Sequence, residues 1–343
     1  CGLGRPMGNG AATGELIRNE AWRFCVAPLM DGTDRHCRFF HRQLSRRARL
    51  YSEMIVAEAA VRGDRLRLLG FDPVEQPVAL QLGGSDPKLL GEAARIGEDF
   101  GYGEINLNVG CPSDRVQSGT FGACLMKTPQ LVADCIGAMR AKVVIPVTVK
   151  CRIGVDDQDP EESLFTLVDA VAVAGGGVFI VHARKAWLQG LSPKENRELP
   201  PLDYALVRKL KIERPKLTII VNGGIETINA AAEHLNAFDG VMLGRAAYGE
   251  PAILAGVDQA IFGDESPAPA LDDVVIKMSV YVKEQAMSGT SPHHIVRHML
   301  GLFHGRPGAR AWRRMLSEKG AATPADILDR ASDALRFKAP EFV

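Results

Sequence analysis

No Cys-x-x-Cys pair occurs in this chain, and its seven cysteines are an odd number scattered over 343 residues. A disulfide framework and a zinc site are therefore disfavoured, no metal is expected, and a reducing cytoplasm is the expected location. No uncharged apolar run reaches the length of a membrane span, which argues against an integral membrane protein. Net charge is missing too, because 41 Lys+Arg balance 41 Asp+Glu. That excludes a uniformly basic nucleic-acid coat, though not a local basic patch. No Gly-x-Gly-x-x-Gly follows the first apolar run, which counts against a Rossmann domain.

What is present is ordinary globular composition, 46% hydrophobic and 24% charged, and a length that buries an ample core without staples. At about 150 residues per domain it suggests two domains, or one barrel of about 250 residues with an appendage. Residues 1–20 are Gly-rich without apolar periodicity and read as a mobile leader. The first residue is Cys1, which fits a fragment of a longer chain or, less well, the mature end of a lipoprotein. From Phe24 onward a rhythm sets in. Short apolar runs lie at 24–30, 50–55, 78–83, 104–109, 147–153, 178–183, 218–223 and 240–243. Amphipathic stretches such as 87–100, 129–142, 161–174 and 204–211 separate them. Buried strands alternating with helices predict a parallel sheet covered on its outer face. Eight such units predict an α/β fold, a (β/α)₈ TIM barrel over 21–264. After the break Ser266-Pro267-Ala268-Pro269, residues 271–343 read as helices only, a smaller C-terminal all-helical domain.

In such a barrel the strand C-termini carry the site. Polar and cationic groups gather where the apolar runs end. Asn222-Gly223-Gly224 and Gly244-Arg245 close runs seven and eight, where phosphate-binding barrels place their cup: glycines admit backbone N–H groups to the anion and an Arg fork pairs with its oxygens. Lys150, ending an apolar run, reads as a cation beside a reduced flavin, as a Schiff-base lysine, or as a lysine snorkelling to solvent. His182 reads equally as a core histidine. Cys111 lies between Gly110 and Pro112 in a tight loop at the mouth. An ordinary thiol is mostly protonated at neutral pH and can donate that proton; a nucleophile and a small buried hydrophobe are the other readings. Cys124, among apolar neighbours, fits the last of these better.

Two basic elements stand out. Arg35, Arg38, Arg42, Arg46 and Arg49 recur at helical spacing opposite Cys37, Phe40, Leu44 and Ala48, as a solvated barrel helix or a polyanion surface would have them. Residues 293–319 hold Arg297, Arg306, Arg310, Arg313, Arg314 and Lys319 against one acid, Glu318, together with His293, His294, His298 and His304. A cationic helical appendage beside a barrel mouth suggests a polyanion, RNA before DNA or lipid.

Several long motifs resemble a known family. They are Ala-Pro-Leu-Met-Asp-Gly-Thr-Asp-Arg-His (27–36), Asn-Leu-Asn-Val-Gly-Cys-Pro-Ser-Asp-Arg-Val-Gln-Ser-Gly (106–119), Val-Lys-Cys-Arg-Ile-Gly (149–154), a sixteen-residue run at 182–197, Val-Asn-Gly-Gly-Ile (221–225), Met-Leu-Gly-Arg-Ala-Ala-Tyr (242–248) and 299–314. Together they resemble the tRNA-dihydrouridine synthases, A-type, over about residues 24–320. The resemblance implies an FMN-dependent barrel with a helical tRNA-binding domain. It implies reduction of uridine to 5,6-dihydrouridine in the tRNA D-loop, at positions 20 and 20a, with NADPH (or NADH) reducing the flavin. Carried over residue by residue, it implies FMN contacts at Pro28, Leu29, Met30, Gln81, Lys150, His182, Asn222, Gly223, Gly224, Gly244 and Arg245. It likewise implies Cys111 as proton donor and tRNA contacts at Asn108, Lys194, Arg197, Arg310 and Arg313. Leu29 and Gly32 depart from the family's usual Met and Trp. The expected protein is a monomer with neither DNA nor a membrane as partner. The alternatives are a flavin barrel reducing a free pyrimidine, a flavin-free barrel with a Schiff-base Lys150, and a catalytically silent tRNA-binding protein.

Overall fold

The structure, a computed structural model, describes residues 20–113, 119–317 and 323–336. The leader up to residue 19, positions 114–118 of the Cys111 motif, and Glu318 and Lys319 lie outside the described residues. Eight parallel strands close into one barrel in sequence order. They are β1 (Phe24–Val26), β2 (Arg49–Val56), β3 (Val78–Gly83), β4 (Ile105–Val109), β5 (Val147–Arg152), β6 (Val178–His182), β7 (Thr218–Asn222) and β8 (Gly240–Leu243). Pairing of Cys25 with Met242 seals β1 to β8. The expected (β/α)₈ barrel is thus what the chain forms.

The outer helices start where the sequence supplies a cap. Asp86 accepts from the Leu89 N–H ahead of Pro87–Asp99, and Asp159 accepts from Glu162 N–H ahead of Pro160–Val173. In both an Asp-Pro pair gives an acceptor for an orphan donor and a proline whose missing N–H is not needed. Strand alternation splits the core in two. Outward residues such as Ile105, Leu107 and Val109 join the large layer under the helices, while Trp22, Cys25, Tyr51, Ile180, Ile220 and Met242 fill the interior. The interior is more polar than near-continuous apolar strands imply. Glu104, just ahead of β4, and Asn106 and Asn108 on it alternate and point inward beside Gln81 and Thr148, all buried.

β1 is shorter than its apolar run. Pro28 has no N–H for the ladder, and the chain turns at once, Gly32 and Thr33 both donating to the Leu29 carbonyl. The basic stripe at 35–49 is also corrected. Its helix ends at Leu44, and Arg38, Arg42 and Arg49 are buried rather than a solvated face or an RNA surface. Arg38 pairs with the buried Glu75 at 2.7 Å. Arg42 donates to the carbonyls of Ser45, Ala48, Glu75 and Pro77, and Arg49 reaches Glu104 at 3.1 Å.

Beyond 266–269 the described chain is helical, with Leu271–Met287, Pro292–Val296, Ala309–Ser317 and Ile327–Arg336. Trp312 is its fully buried centre, edge-on to Phe303 and donating from Nε1 to the Met299 carbonyl at 2.8 Å. This unit sits on the barrel's first helix, Arg35–Leu44. Tyr281 stacks on Phe39 with ring centroids 3.8 Å apart, and Arg297 and His298 both donate to Asp34, the cap of that helix. Gly301 approaches so closely that a Cβ there would lie 1.8 Å from the Gly249 carbonyl oxygen. Among the described residues no helix is long and apolar enough to cross a membrane.

Candidate active site

The strand C-termini open into a cavity of about 970 Å³. Pro28, Leu29 and Met30 after β1, Gln81 on β3, Asn108 and Cys111 at the end of β4 and Lys150 on β5 all line it. So do His182 on β6, Asn222, Gly223 and Gly224 at β7, Gly244 and Arg245 at β8, and Arg197 from the loop after β6. Lys194, Arg310 and Arg313 do not line it; all three are exposed elsewhere.

β4 and β5 set the centre. Asn108 and Lys150 are direct partners in the ladder. The Asn108 side-chain Oδ1 accepts from the backbone N–H of Gly110 and of Cys111, each at 3.0 Å. That Asx turn fixes the loop and leaves the Cys111 thiol half-buried, 3.4 Å from the Ser113 hydroxyl. Cys124 instead donates to the Phe121 carbonyl at 3.0 Å and does not line the cavity. Lys150 Nζ donates to Asn222 Oδ1 at 3.1 Å, and Asn222 Nδ2 donates to the Met242 carbonyl. Burial, then the charge of Arg152, pushes the Lys150 ammonium down to about 8. Burial, followed by Arg152 and Lys150, holds His182 well below the usual imidazole value, so it is neutral at pH 7.

Gly223 is required where it stands. Its φ is +109°, and a Cβ would lie 2.5 Å from the His182 ring. Its carbonyl accepts from the Tyr204 hydroxyl. Arg245 is half exposed and pairs with Glu198 at 2.5 Å, tying the loop after β6 to β8. Arg197 Nε is buried with no partner among the described residues. Cationic groups therefore crowd the β5–β8 side, while Asp31 and Glu53 face the cavity from the β1–β2 side.

Arg152, Glu53 and Tyr248 also line the cavity, and the sequence reading gave them no role. Arg152 donates to the carbonyls of Gly110, Lys185 and Asn196, so one guanidinium joins the Cys111 loop to the loop after β6. Its spacing two residues beyond Lys150, on the same inward face, was the available signal. Gly32 is buried; a Cβ there would lie 3.0 Å from Leu29 Cβ and 3.5 Å from the Tyr248 ring, which occupies the neighbouring space.

Comparison with known proteins now decides the family. Residues 25–337 match the dihydrouridine synthase family. The chain belongs to the dihydrouridine synthases. It is 54% identical to tRNA-dihydrouridine(20/20a) synthase of Xanthomonas campestris pv. campestris, over 91% of this chain and 93% of the relative. It is 56% identical to the protein of that name from Escherichia coli O6:H1, over 90% and 93%. Among solved structures, morphinone reductase superposes with a TM-score of 0.50 at 14% identity, over 74% of this chain and 88% of that one. A 2-naphthoyl-CoA reductase complex superposes at 0.52 and 11%, over 69% and 50%. These two likenesses speak for the barrel fold alone.

Proposed function

We propose that this dihydrouridine synthase reduces uridine to 5,6-dihydrouridine in the D-loop of tRNA, at positions 20 and 20a, with FMN as cofactor and NADPH as reductant. The carrying observation is the Cys111 thiol on a pinned loop in the one cavity that also gathers Lys150, His182 and the Gly223–Gly224 turn. The names of the relatives, which cover nearly the whole chain, supply the substrate.

The residues present suit a flavin mononucleotide. A phosphate would meet the glycine backbone at 223 and 224 and Arg245. Lys150, Asn222, His182 and Gln81 would face the ring system, with Pro28, Leu29, Met30 and Gly244 packing around it. When bound and reduced by NADPH, FMN supplies the hydride that the uracil ring takes up at C6. Lys150 and Asn108, adjacent on β5 and β4, orient the ring and stabilise the negative charge that then develops toward the C4 carbonyl. Cys111 donates the proton to C5. Residues 21–264 form the catalytic barrel and 271–343 the tRNA-binding domain. The target uridine must leave its stack, costing a few kcal/mol, and phosphate contacts from Lys194, Arg197, Arg310 and Arg313 offset this.

The test is direct. The purified protein should show flavin absorbance, and NADPH with unmodified tRNA should yield dihydrouridine by nucleoside mass spectrometry. Flavin absorbance with no dihydrouridine would refute the substrate. A colourless protein that FMN cannot reconstitute would refute the cofactor.

A further inference from the structure

A file of hydrogen bonds runs through the barrel interior, and its lower end lies outside the chemistry just described. Glu104, fully buried ahead of β4, receives donors from four side chains. Trp22 Nε1 at 2.8 Å and Arg49 Nη1 at 3.1 Å reach Oε2. The Tyr51 hydroxyl at 2.8 Å and the Thr148 hydroxyl at 2.5 Å reach Oε1. Thr148 Oγ1 in turn accepts from Asn106 Nδ2 at 2.8 Å. Asn106 Oδ1 accepts from Gln81 Nε2 at 2.8 Å, and Gln81 Oε1 accepts from Asn108 Nδ2 at 2.9 Å. Asn108 Oδ1 then accepts the two N–H groups that pin the Cys111 loop.

Every member of the file donates toward Glu104 and accepts from the mouth side. Neither end can be reversed. The indole and guanidinium below have no acceptor, and the backbone N–H groups of Gly110 and Cys111 above can only donate. Between those ends sit three primary amides and a hydroxyl. Turning any one amide over would set donor against donor on one side and acceptor against acceptor on the other, in a buried interior where unmet polar groups are costly.

We propose that Glu104 and Thr148 are positioning residues. The carboxylate at the closed end of the barrel sets the sense of Asn106, Gln81 and Asn108, and so holds the Asn108 oxygen against the Cys111 loop. This rests on the reading of Cys111 as proton donor.

Thr148→Val keeps the side-chain shape and cuts the file between Glu104 and Asn106; Thr148→Ser keeps the hydroxyl. On holoenzymes, three quantities are measured: Cys111 alkylation by iodoacetamide, located by peptide mass spectrometry; single-turnover dihydrouridine formation by pre-reduced enzyme on unmodified tRNA; and the melting temperature. Thr148→Val should change the alkylation rate several-fold and slow the single turnover about tenfold, the equivalent of one loop hydrogen bond. Thr148→Ser should restore both. A Thr148→Val protein that melts lower yet keeps both rates within about twofold of wild type would show ordinary core packing and overturn the proposal. Should Thr148→Val not fold, amide exchange in the wild-type protein decides: Gly110 and Cys111 N–H must be protected, and exchange at open-loop rates overturns the proposal. An alkylation change without any dihydrouridine in wild type would instead count against the functional reading.

Discussion

In the proposed reaction, Cys111 is where a single atom decides the outcome. Its loop is held from three sides, by Asn108 at its N–H, by Ala123 N–H at its carbonyl and by Arg152 at Gly110. Replacing the thiol should leave the loop and the cofactor pocket intact. Cys111→Ala should therefore retain FMN absorbance and NADPH-driven reduction, and lose about 10²- to 10⁴-fold in dihydrouridine formation, the usual share of a general acid. Wild-type turnover in that variant would remove Cys111 from the chemistry. Lys150 makes a different prediction. Its folded pKa, about 8, lies below the ordinary lysine value of about 10.4. Between those values the unfolded chain holds more protons, so Lys150 makes stability rise with pH there; below pH 8 its buried charge is a standing penalty. An anion in the cavity relieves that penalty and draws the pKa upward. NMR titration of isotopically methylated lysine, assigned with Lys150→Met, should find a midpoint near 8 without FMN and a higher one with it. An ordinary midpoint before FMN is added would mean that the ammonium is hydrated.

The helix Arg35–Leu44 shows how one element serves two neighbours. Asp34 caps it, accepting from His36 and Cys37 N–H, and also receives Arg297 at 2.8 Å and His298 at 3.1 Å from the helical unit. Burial works against the Asp34 charge, but the hydrogen bond and charge of His298, then the Cys37 N–H and Arg297, hold its carboxyl well below the usual range. A depressed carboxylate stabilises above its unfolded value of about 3.9 and loses that contribution as pH falls through the folded value. Asp34→Ala should therefore cost about 2 kcal/mol near neutral pH, one cap plus the orphaned donors. By chemical denaturation the difference should shrink below about pH 4. A difference that stays constant with pH would show that the ion pairs contribute nothing. This element was only half legible in the sequence. Its arginines have helical spacing, but spacing cannot tell a solvated face from guanidiniums that turn inward to carbonyls, and Glu75, the partner that buries Arg38, lies 37 positions away. β3 and β8, by contrast, coincide with their apolar runs because Pro77 and Gly84 bound the first and Asp239 and Gly244 the second.

For the molecule as a whole, the barrel was legible because eight apolar runs and their intervening amphipathic stretches leave few other closures. The mouth followed from knowing which strand ends carry the site. The file from Glu104 to Asn108 was not legible, since each of its bonds joins residues at least 25 positions apart. Nor was the seating of the helical unit on Asp34 and Phe39. Under the proposed function, the arginines of Ala309–Ser317 on this seated unit are the tRNA contacts. Trp312 and Leu316 bury one side of this helix, and Arg310, Arg313 and Arg314 stand exposed on the other, without an ion-pair partner among the described residues. Unpaired surface guanidiniums on one face bind phosphates without surrendering an internal contact. If Arg310 and Arg313 each neutralise one phosphate, replacing both with Ala should reduce the slope of log affinity against log salt by about one to two. Affinity for unmodified tRNA should fall most at low salt, while NADPH oxidation by the holoenzyme, which needs only the cavity, should be unchanged. An unaltered slope, measured by filter binding across a salt series, would make this face solvated surface and move the tRNA contact to the loop holding Lys194 and Arg197.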